Sequence, residues 1–199
     1  MPRVFILDDQ TAVLKAVSRL LELSGFRTMS FTSPKEFLAS GSTQLPGCLV
    51  LDLTMPDMNG IAVVEEMSRV GSKLPVIFLT GNGNVDNAVM AMKLGALDFL
   101  TKPVNKDKLV AAVSCAFEKN RIAIRQDAQH SETRQRLCEL TARELEVIKL
   151  VAAGKLNKQA ADELGIAEQT VKIHRARAMS KLQVRSVAEL VHLMQTIAE

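Results

Sequence analysis

Short unbroken apolar runs alternate with helically spaced apolar positions along the first 120 residues of the chain. Val4-Phe5-Ile6-Leu7 is the first run, and Asp8-Asp9 ends it. From Thr11 to Ser24 the apolar positions fall at helical intervals (Val13, Val17, Leu20, Leu21), and Gly25 closes the helix. Arg27 to Phe31 reads as a weaker strand. Ser33-Pro34-Lys35-Glu36 reads as a helix start, with Ser as cap and Pro in the first turn. Cys48-Leu49-Val50-Leu51 and Val76-Ile77-Phe78-Leu79 are further strands, and Gly60 to Val70 and Val85 to Leu94 are further helices. Phe99-Leu100 lies in a last short strand before a helix from about Asn105 to Arg121. Strands that are apolar throughout, rather than alternating, are buried on both faces. Five strand–helix units in this length predict an α/β sandwich around a parallel sheet.

The pattern then changes. Residues 125–136 contain a single Ala and no large apolar side chain. A solvated helix is open here, but it would have no face to bury, so residues 121–137 read as a linker, helical or not, between a first domain over 1–120 and a second over 138–199. From Leu137 onward every pattern is helical. Thr141-Ala142-Arg143-Glu144 is a capping box, and Gly154 stops the helix it starts. Asn157 to Leu164 is short and ends at Gly165, Glu168 to Leu182 is longer, and Ser186-Val187-Ala188-Glu189 is a second capping box. This predicts a compact four-helix unit.

Composition narrows the function classes. The 199 residues, 21.8 kDa in all, are 47% apolar and 24% charged, enough for real cores and unlike a disordered tail. The chain has no Trp or Tyr, which argues against base stacking on aromatic platforms. Cys48, Cys115 and Cys138 are odd in number and far apart, so they read as small buried apolar residues in a reducing cytosol rather than a disulfide or zinc framework. The N-terminus shows no signal-peptide pattern and no apolar stretch reaches roughly 18 residues, so a cytoplasmic location without membrane contact is expected. The net charge of +3 is unevenly placed: residues 1–119 hold 12 basic and 12 acidic side chains, residues 120–199 hold 13 and 10.

Ligands of an open parallel sheet bind beyond the carboxyl ends of its strands. Asp8-Asp9, Asp52, Thr80 and Lys102 all fall there. Three carboxylates converging at about 5 Å repel by roughly 3 kcal/mol per pair at an effective dielectric near 20. A divalent cation together with the Lys102 ammonium would cancel three negative charges, and hard oxygen ligands suit Mg²⁺. Asp52 is then the candidate nucleophile toward a phosphoryl group, with Lys102 and the Thr80 hydroxyl on the transferred oxygens. The Gly81-Asn82-Gly83 stretch starts like a dinucleotide loop, but Asp86 stands where the third Gly belongs.

Ile6-Leu7-Asp8-Asp9, the Leu51 to Gly60 stretch, Leu79-Thr80-Gly81 and Phe99-Leu100-Thr101-Lys102-Pro103 resemble the receiver domain of bacterial two-component response regulators. The resemblance covers residues 3 to about 120. It implies a flavodoxin-like five-stranded parallel sheet of order 2-1-3-4-5. It implies that Asp52 accepts phosphate from a histidine kinase, and that Mg²⁺ is held by Asp9, Asp52 and the Thr54 carbonyl, with Asp8 helping through water. Lys102 would pair with the acyl phosphate, and Thr80 and Phe99 would form the switch. Gln10 departs from the pattern, since a third acid is common there.

Between Glu168 and Arg185 lie five basic residues and one acid. A short helix, the turn Gly165-Ile166-Ala167 and this basic helix have the geometry of a helix-turn-helix. Leu140 to Glu144, Gly154 to Lys158 and Thr170-Val171-Lys172-Ile173-His174 resemble the LuxR/FixJ/NarL-type DNA-binding domain, over about 138–197. By that resemblance Asn157, Lys158, Thr170, Lys172, Ile173, Arg175 and Ala176 face double-stranded DNA, and the last helix is a dimer contact. His174 reads as a packed boundary residue. The resemblance as a whole implies a DNA-binding transcription factor, not an enzyme, switched by Mg²⁺-dependent phosphorylation of Asp52. Its partners would be a histidine kinase, promoter DNA, RNA polymerase and, once phosphorylated, a second copy of itself. Two alternatives stand: a phosphorylation-independent regulator whose receiver only dimerises, and an aspartyl-phosphate phosphatase. The second lacks the second acid of an Asp-x-Asp motif, because Thr54 stands there.

Overall fold

The computed structural model describes residues 2–81, 92–93 and 95–198. Two compact units divide the chain, residues 1–124 and 125–199. In the first, β1 (Arg3–Leu7), α1 (Thr11–Leu23), β2 (Thr28–Phe31), α2 (Pro34–Ala39), β3 (Gly47–Asp52), α3 (Gly60–Arg69), β4 (Val76–Thr80) and β5 (Asp98–Thr101) lead into α4 (Lys106–Cys138), and a 3₁₀ turn at Ser42–Gln44 precedes β3. All strands are parallel, in the order β2-β1-β3-β4-β5. The helix predicted over 85–94 falls mostly outside the described residues.

The continuous apolar strands are explained by the two layers they serve. Phe5, Leu7, Leu49, Leu51 and Phe78 point to one side, against Phe37 of α2 and Val63 and Met67 of α3. Their alternates Val4, Ile6, Cys48, Val50, Ile77 and Leu79 point to the other, against Leu14, Val17 and Leu21 of α1 and Leu109 and Val113 of α4. Each such side chain, fully buried, contributes about 1.5–3 kcal/mol, so a polar residue in β1, β3 or β4 would be costly on either face. Cys48 is part of this core, and burial pushes its thiol up to about 12. Cys115 and Cys138 are exposed, contrary to the expectation that all three are buried.

Of the two forms open to the linker segment, the structure has the helical one. α4 runs unbroken for 33 residues, from Lys106 to Cys138. Its buried residues, Leu109, Ala112, Val113, Ala116 and Asn120, all lie in the half belonging to the first unit. The helix holds no Gly or Pro, and ion pairs within it support each half: Arg121 with Glu118 at 2.7 Å in the first and Arg136 with Glu132 at 2.6 Å in the second. Absence of an apolar face does not stop a helix that is already nucleated and contains no breaker. Asn120 is a buried polar clasp: its Oδ1 accepts from Gly47 N at 2.9 Å and its Nδ2 donates to Lys73 O at 2.9 Å.

The second unit is helical: α5 (Ala142–Ala152), α6 (Asn157–Leu164), α7 (Glu168–Leu182) and α8 (Val187–Ala198). Val147, Ile148, Val151, Ala160, Val171, Ala178, Leu182 and Leu190 form its core. Both bonds of the Thr141 capping box form. Ser186 accepts from Glu189 N, but the Glu189 carboxylate takes Arg185 N instead of completing the box. Ser33 stands at the start of α2 with no capping bond from its side chain. Gly165, at φ +65°, ends α6 in the left-handed conformation that suits glycine. Among the described residues, no helix is long and apolar enough to cross a membrane.

Candidate functional site

The strand ends of the first unit bring Asp8, Asp9, Asp52, Thr80 and Lys102 to one edge of the sheet. Asp8, Asp52 and Thr80 are buried, Lys102 is half-buried, and Asp9 is exposed. Lys102 Nζ lies 2.6 Å from Asp8 Oδ2 and 3.1 Å from Asp52 Oδ2. Asp8 Oδ1 accepts from Gln10 N at 2.9 Å, whereas Asp52 Oδ1 has only a long 3.5 Å contact with Thr54 N. One oxygen of Asp52 is thus weakly held. Burial pushes the Asp52 carboxyl above its ordinary range, against the Lys102 ammonium, which pulls it down; Asp8 adds to the upward push. Burial also pulls Lys102 down, but its bonds to Asp8 and Asp52 outweigh this and hold the ammonium above its ordinary value.

One ligand oxygen from each of Asp8, Asp9 and Asp52 falls within 4.8 Å of the others. Three carboxylates against one ammonium leave two negative charges at the site. The donor set is all oxygen and one wall is open to solvent, which fits a small hard cation such as Mg²⁺ that keeps several waters. Among the described residues this is the only such group of His, Cys, Asp and Glu side chains. Thr54 is exposed on the loop leaving Asp52.

That loop is positioned by residues whose roles the sequence reading missed. Asn59 Oδ1 caps α3 by accepting from Ala62 N at 2.8 Å. Gly60 N donates to Leu53 O at 2.9 Å. A Cβ on Gly60 would meet Asp52 O at 2.6 Å and the Phe78 ring at 2.9 Å, so only glycine lets α3 start this close to the acceptor strand. The signal available in the sequence was an Asn-Gly pair directly before a helical pattern. Phe99 is half-buried and packs against the cluster that includes Phe5 and Phe78. Lys102 N donates to Thr80 O at 2.7 Å, tying the ends of β4 and β5 together.

In the second unit, Val171, Ala178 and Leu182 of α7 are fully buried, while Lys172, Ile173, Ala176 and Arg177 are exposed. Lys158 is exposed, and Asn157, Thr170 and Arg175 are half-buried. Arg175 Nη1 donates to Asn157 Oδ1 at 3.0 Å. Lys172 is within 3.0 Å of Glu168 on the surface, a pair solvent leaves weak. Arg143 Nη2 donates to Leu164 O, bracing the end of α6 from α5. His174 is half-buried at the edge of the core, and its Nδ1 is enclosed without a hydrogen-bond partner.

Residues 4–114 match the response regulator receiver domain family, and residues 139–194 match the luxR family of bacterial regulatory proteins. The chain belongs to the two-component response regulators with a LuxR-type DNA-binding domain. This regulator is 39% identical over 196 residues to response regulator protein TmoT of Ectopseudomonas mendocina, across 98% of this chain and 89% of that one. It is 40% identical over 200 residues to the tetrathionate response regulatory protein TtrR of Salmonella typhimurium, across 100% and 94%. The solved structure of response regulator StyR is similar with a TM-score of 0.85, at 39% identity over 98% of each chain. A receiver and a LuxR-type reader on one chain make the regulator a transcription factor of a two-component system.

Proposed function

We propose that Asp52 is the phosphoacceptor. The observation that carries this is the Lys102 ammonium bridging Asp8 and Asp52 from 94 residues away from Asp8, which leaves Asp52 Oδ1 the least engaged carboxylate oxygen of the buried pair. That oxygen attacks the phosphorus of a kinase phosphohistidine. The new O–P bond forms as the N–P bond breaks, and the imidazole leaves. Asp8, Asp9, Asp52 and the Thr54 carbonyl would hold Mg²⁺, which when bound supplies positive charge to the carboxylates and the transferred oxygens. Lys102 and Thr80 hold those oxygens, and Thr80 with Phe99 carries the change to the surface around β5. Thr54 stands where an Asp-x-Asp phosphatase motif carries its general acid, which favours a stoichiometric switch over a phosphatase.

Phosphorylation then favours a homodimer that sets two α7 helices about 34 Å apart in successive major grooves. The exposed Lys172, Ile173 and Ala176 reach base edges, thymine methyls and phosphates, with Lys158 and Thr170 beside them. Asn157 and Arg175, also expected on DNA from the sequence, are half-buried and bonded to each other behind these side chains. RNA polymerase is the downstream partner, and the protein works in the cytoplasm, where kinase and promoter are. Acetyl phosphate with Mg²⁺ should label the wild type and promote dimers and DNA binding, and Asp52→Asn should take no label. Labelling of Asp52→Asn would refute the acceptor, and unchanged elution and DNA affinity after confirmed labelling would refute the switch.

A further inference from the structure

Arg175 lies four residues after Val171, three before Ala178 and seven before Leu182, and all three of those are fully buried. At 3.6 residues per turn these offsets put Arg175 on the packed side of α7, away from exposed Ile173, Ala176 and Arg177. Its guanidinium reaches Asn157, the first residue of α6, and the bond joins residues 18 apart. Leu156 before it has no polar atom with which to cap α6. The start of α6 is instead held by Gln159, whose Oε1 accepts from Leu156 N at 2.9 Å, and by Arg175. Among the described residues no carboxylate lies within ion-pair distance of Arg175, whereas Lys155, Lys172 and Lys181 each have one.

We propose that Arg175 is a positioning residue. Through Asn157 it locks the start of α6 to α7 and so sets the angle at which Lys172, Ile173 and Ala176 enter the DNA groove. The proposal rests on the DNA-reading role of α7, and it removes Arg175 and Asn157 from the direct contacts. A base-edge hydrogen bond fails within a few tenths of an ångström, whereas attraction to phosphate falls off slowly with distance. Loosening this strut therefore costs sequence preference first and non-specific affinity little.

The test uses the full chain and a duplex of roughly 30 bp, long enough for two half-sites a helical turn apart. The duplex is enriched from a random pool by wild type treated with acetyl phosphate and Mg²⁺. Affinity for it and for a scrambled duplex is measured over a salt series. Arg175→Ala and Asn157→Ala should each lose about tenfold on the enriched duplex, and the double variant no more than either alone. All three should keep the wild-type salt slope and the affinity for scrambled DNA. Asn157→Asp keeps an acceptor for the guanidinium and should stay within about threefold of wild type, and Arg175→Lys should recover part of the loss. These two conservative variants decide the matter if either alanine variant fails to fold.

A salt slope lower by about one in Arg175→Ala would make it a phosphate contact and overturn the proposal. So would lost preference at a single base pair, additive losses in the double variant, or Asn157→Asp binding as poorly as Asn157→Ala. Failure of the wild type to enrich any duplex would overturn the DNA-reading function itself, a result distinct from all of these.

Discussion

Mg²⁺ should stabilise the receiver unit alone, and replacing Asp9 should remove most of that stabilisation. Ligand oxygens of Asp8, Asp9 and Asp52 lie within 4.8 Å of one another. At that separation each pair repels by about 3.5 kcal/mol at an effective dielectric near 20. For exposed Asp9 solvent screens this toward about 1 kcal/mol. Lys102 offsets only one of the three charges. At a cation concentration 100 times its dissociation constant, binding to the folded state contributes about 2.7 kcal/mol. A unit of 124 residues melts with an entropy of about 0.26 kcal/mol/K, so its Tm should rise by about 10 °C. Losing one ligand weakens binding at least as much as losing a supporting residue, about 10–100-fold. At the same Mg²⁺, Asp9→Asn should then rise by only about 2–5 °C. Without Mg²⁺ the variant should melt above the wild type, because repulsion has been relieved. The chain has no Trp or Tyr, so calorimetry is the suitable readout, and the melting of the helical unit is an internal standard that should not move. Equal Mg²⁺ shifts in wild type and Asp9→Asn, or a shift of the helical unit instead, would refute this account of the acidic cluster.

Three further outcomes follow from single residues. The Lys181 ammonium, and after it the Thr141 N–H, hold the buried Glu144 carboxyl down at about 2 from an ordinary 4.5; this stabilisation is whole above the ordinary value and is lost as pH falls toward the lower one. Glu144→Gln should therefore flatten the acid loss of Tm of the helical unit across that window, and parallel curves for the two proteins would contradict the assignment. Asn120→Ala leaves Gly47 N and Lys73 O without their side-chain partner and should cost the receiver unit about 2–4 kcal/mol in urea unfolding, with a change below about 0.5 kcal/mol ruling out a structural clasp. Gly60→Ala forces backbone beside Asp52 to shift and should slow labelling by acetyl phosphate at least about tenfold; an unchanged rate would show that the loop yields freely.

What was legible in the sequence was whatever a local pattern could express. Strands such as Val4 to Leu7 and Cys48 to Leu51 had to be buried on both faces, and that alone implied helices on both sides of a parallel sheet. The acidic site was legible because loops after parallel strands share one edge, so sequence distance stopped mattering. The second half of α4 was legible only as a linker, helical or not, because it has no apolar face, whereas a continuing helix needs only the absence of a breaker and support from neighbours a turn away. Cys115 and Cys138 misled for a related reason: residue type predicts burial only on average, and both sit on solvent-facing turns of that same helix. The Asn120 clasp and the Arg175–Asn157 bond were invisible because each acts across elements, where direction on a helix matters more than charge, and of the Gly60 contact only the Asn-Gly helix start was legible. Arg175 makes the point most sharply. Counted with its basic neighbours it looks like a DNA contact, yet its place in the heptad of Val171, Ala178 and Leu182 turns it inward. Under the proposed reading, charge composition points to the helix that would read DNA, and the phase of each residue against the core separates the side chains that would do the reading from those that would hold the reader in place.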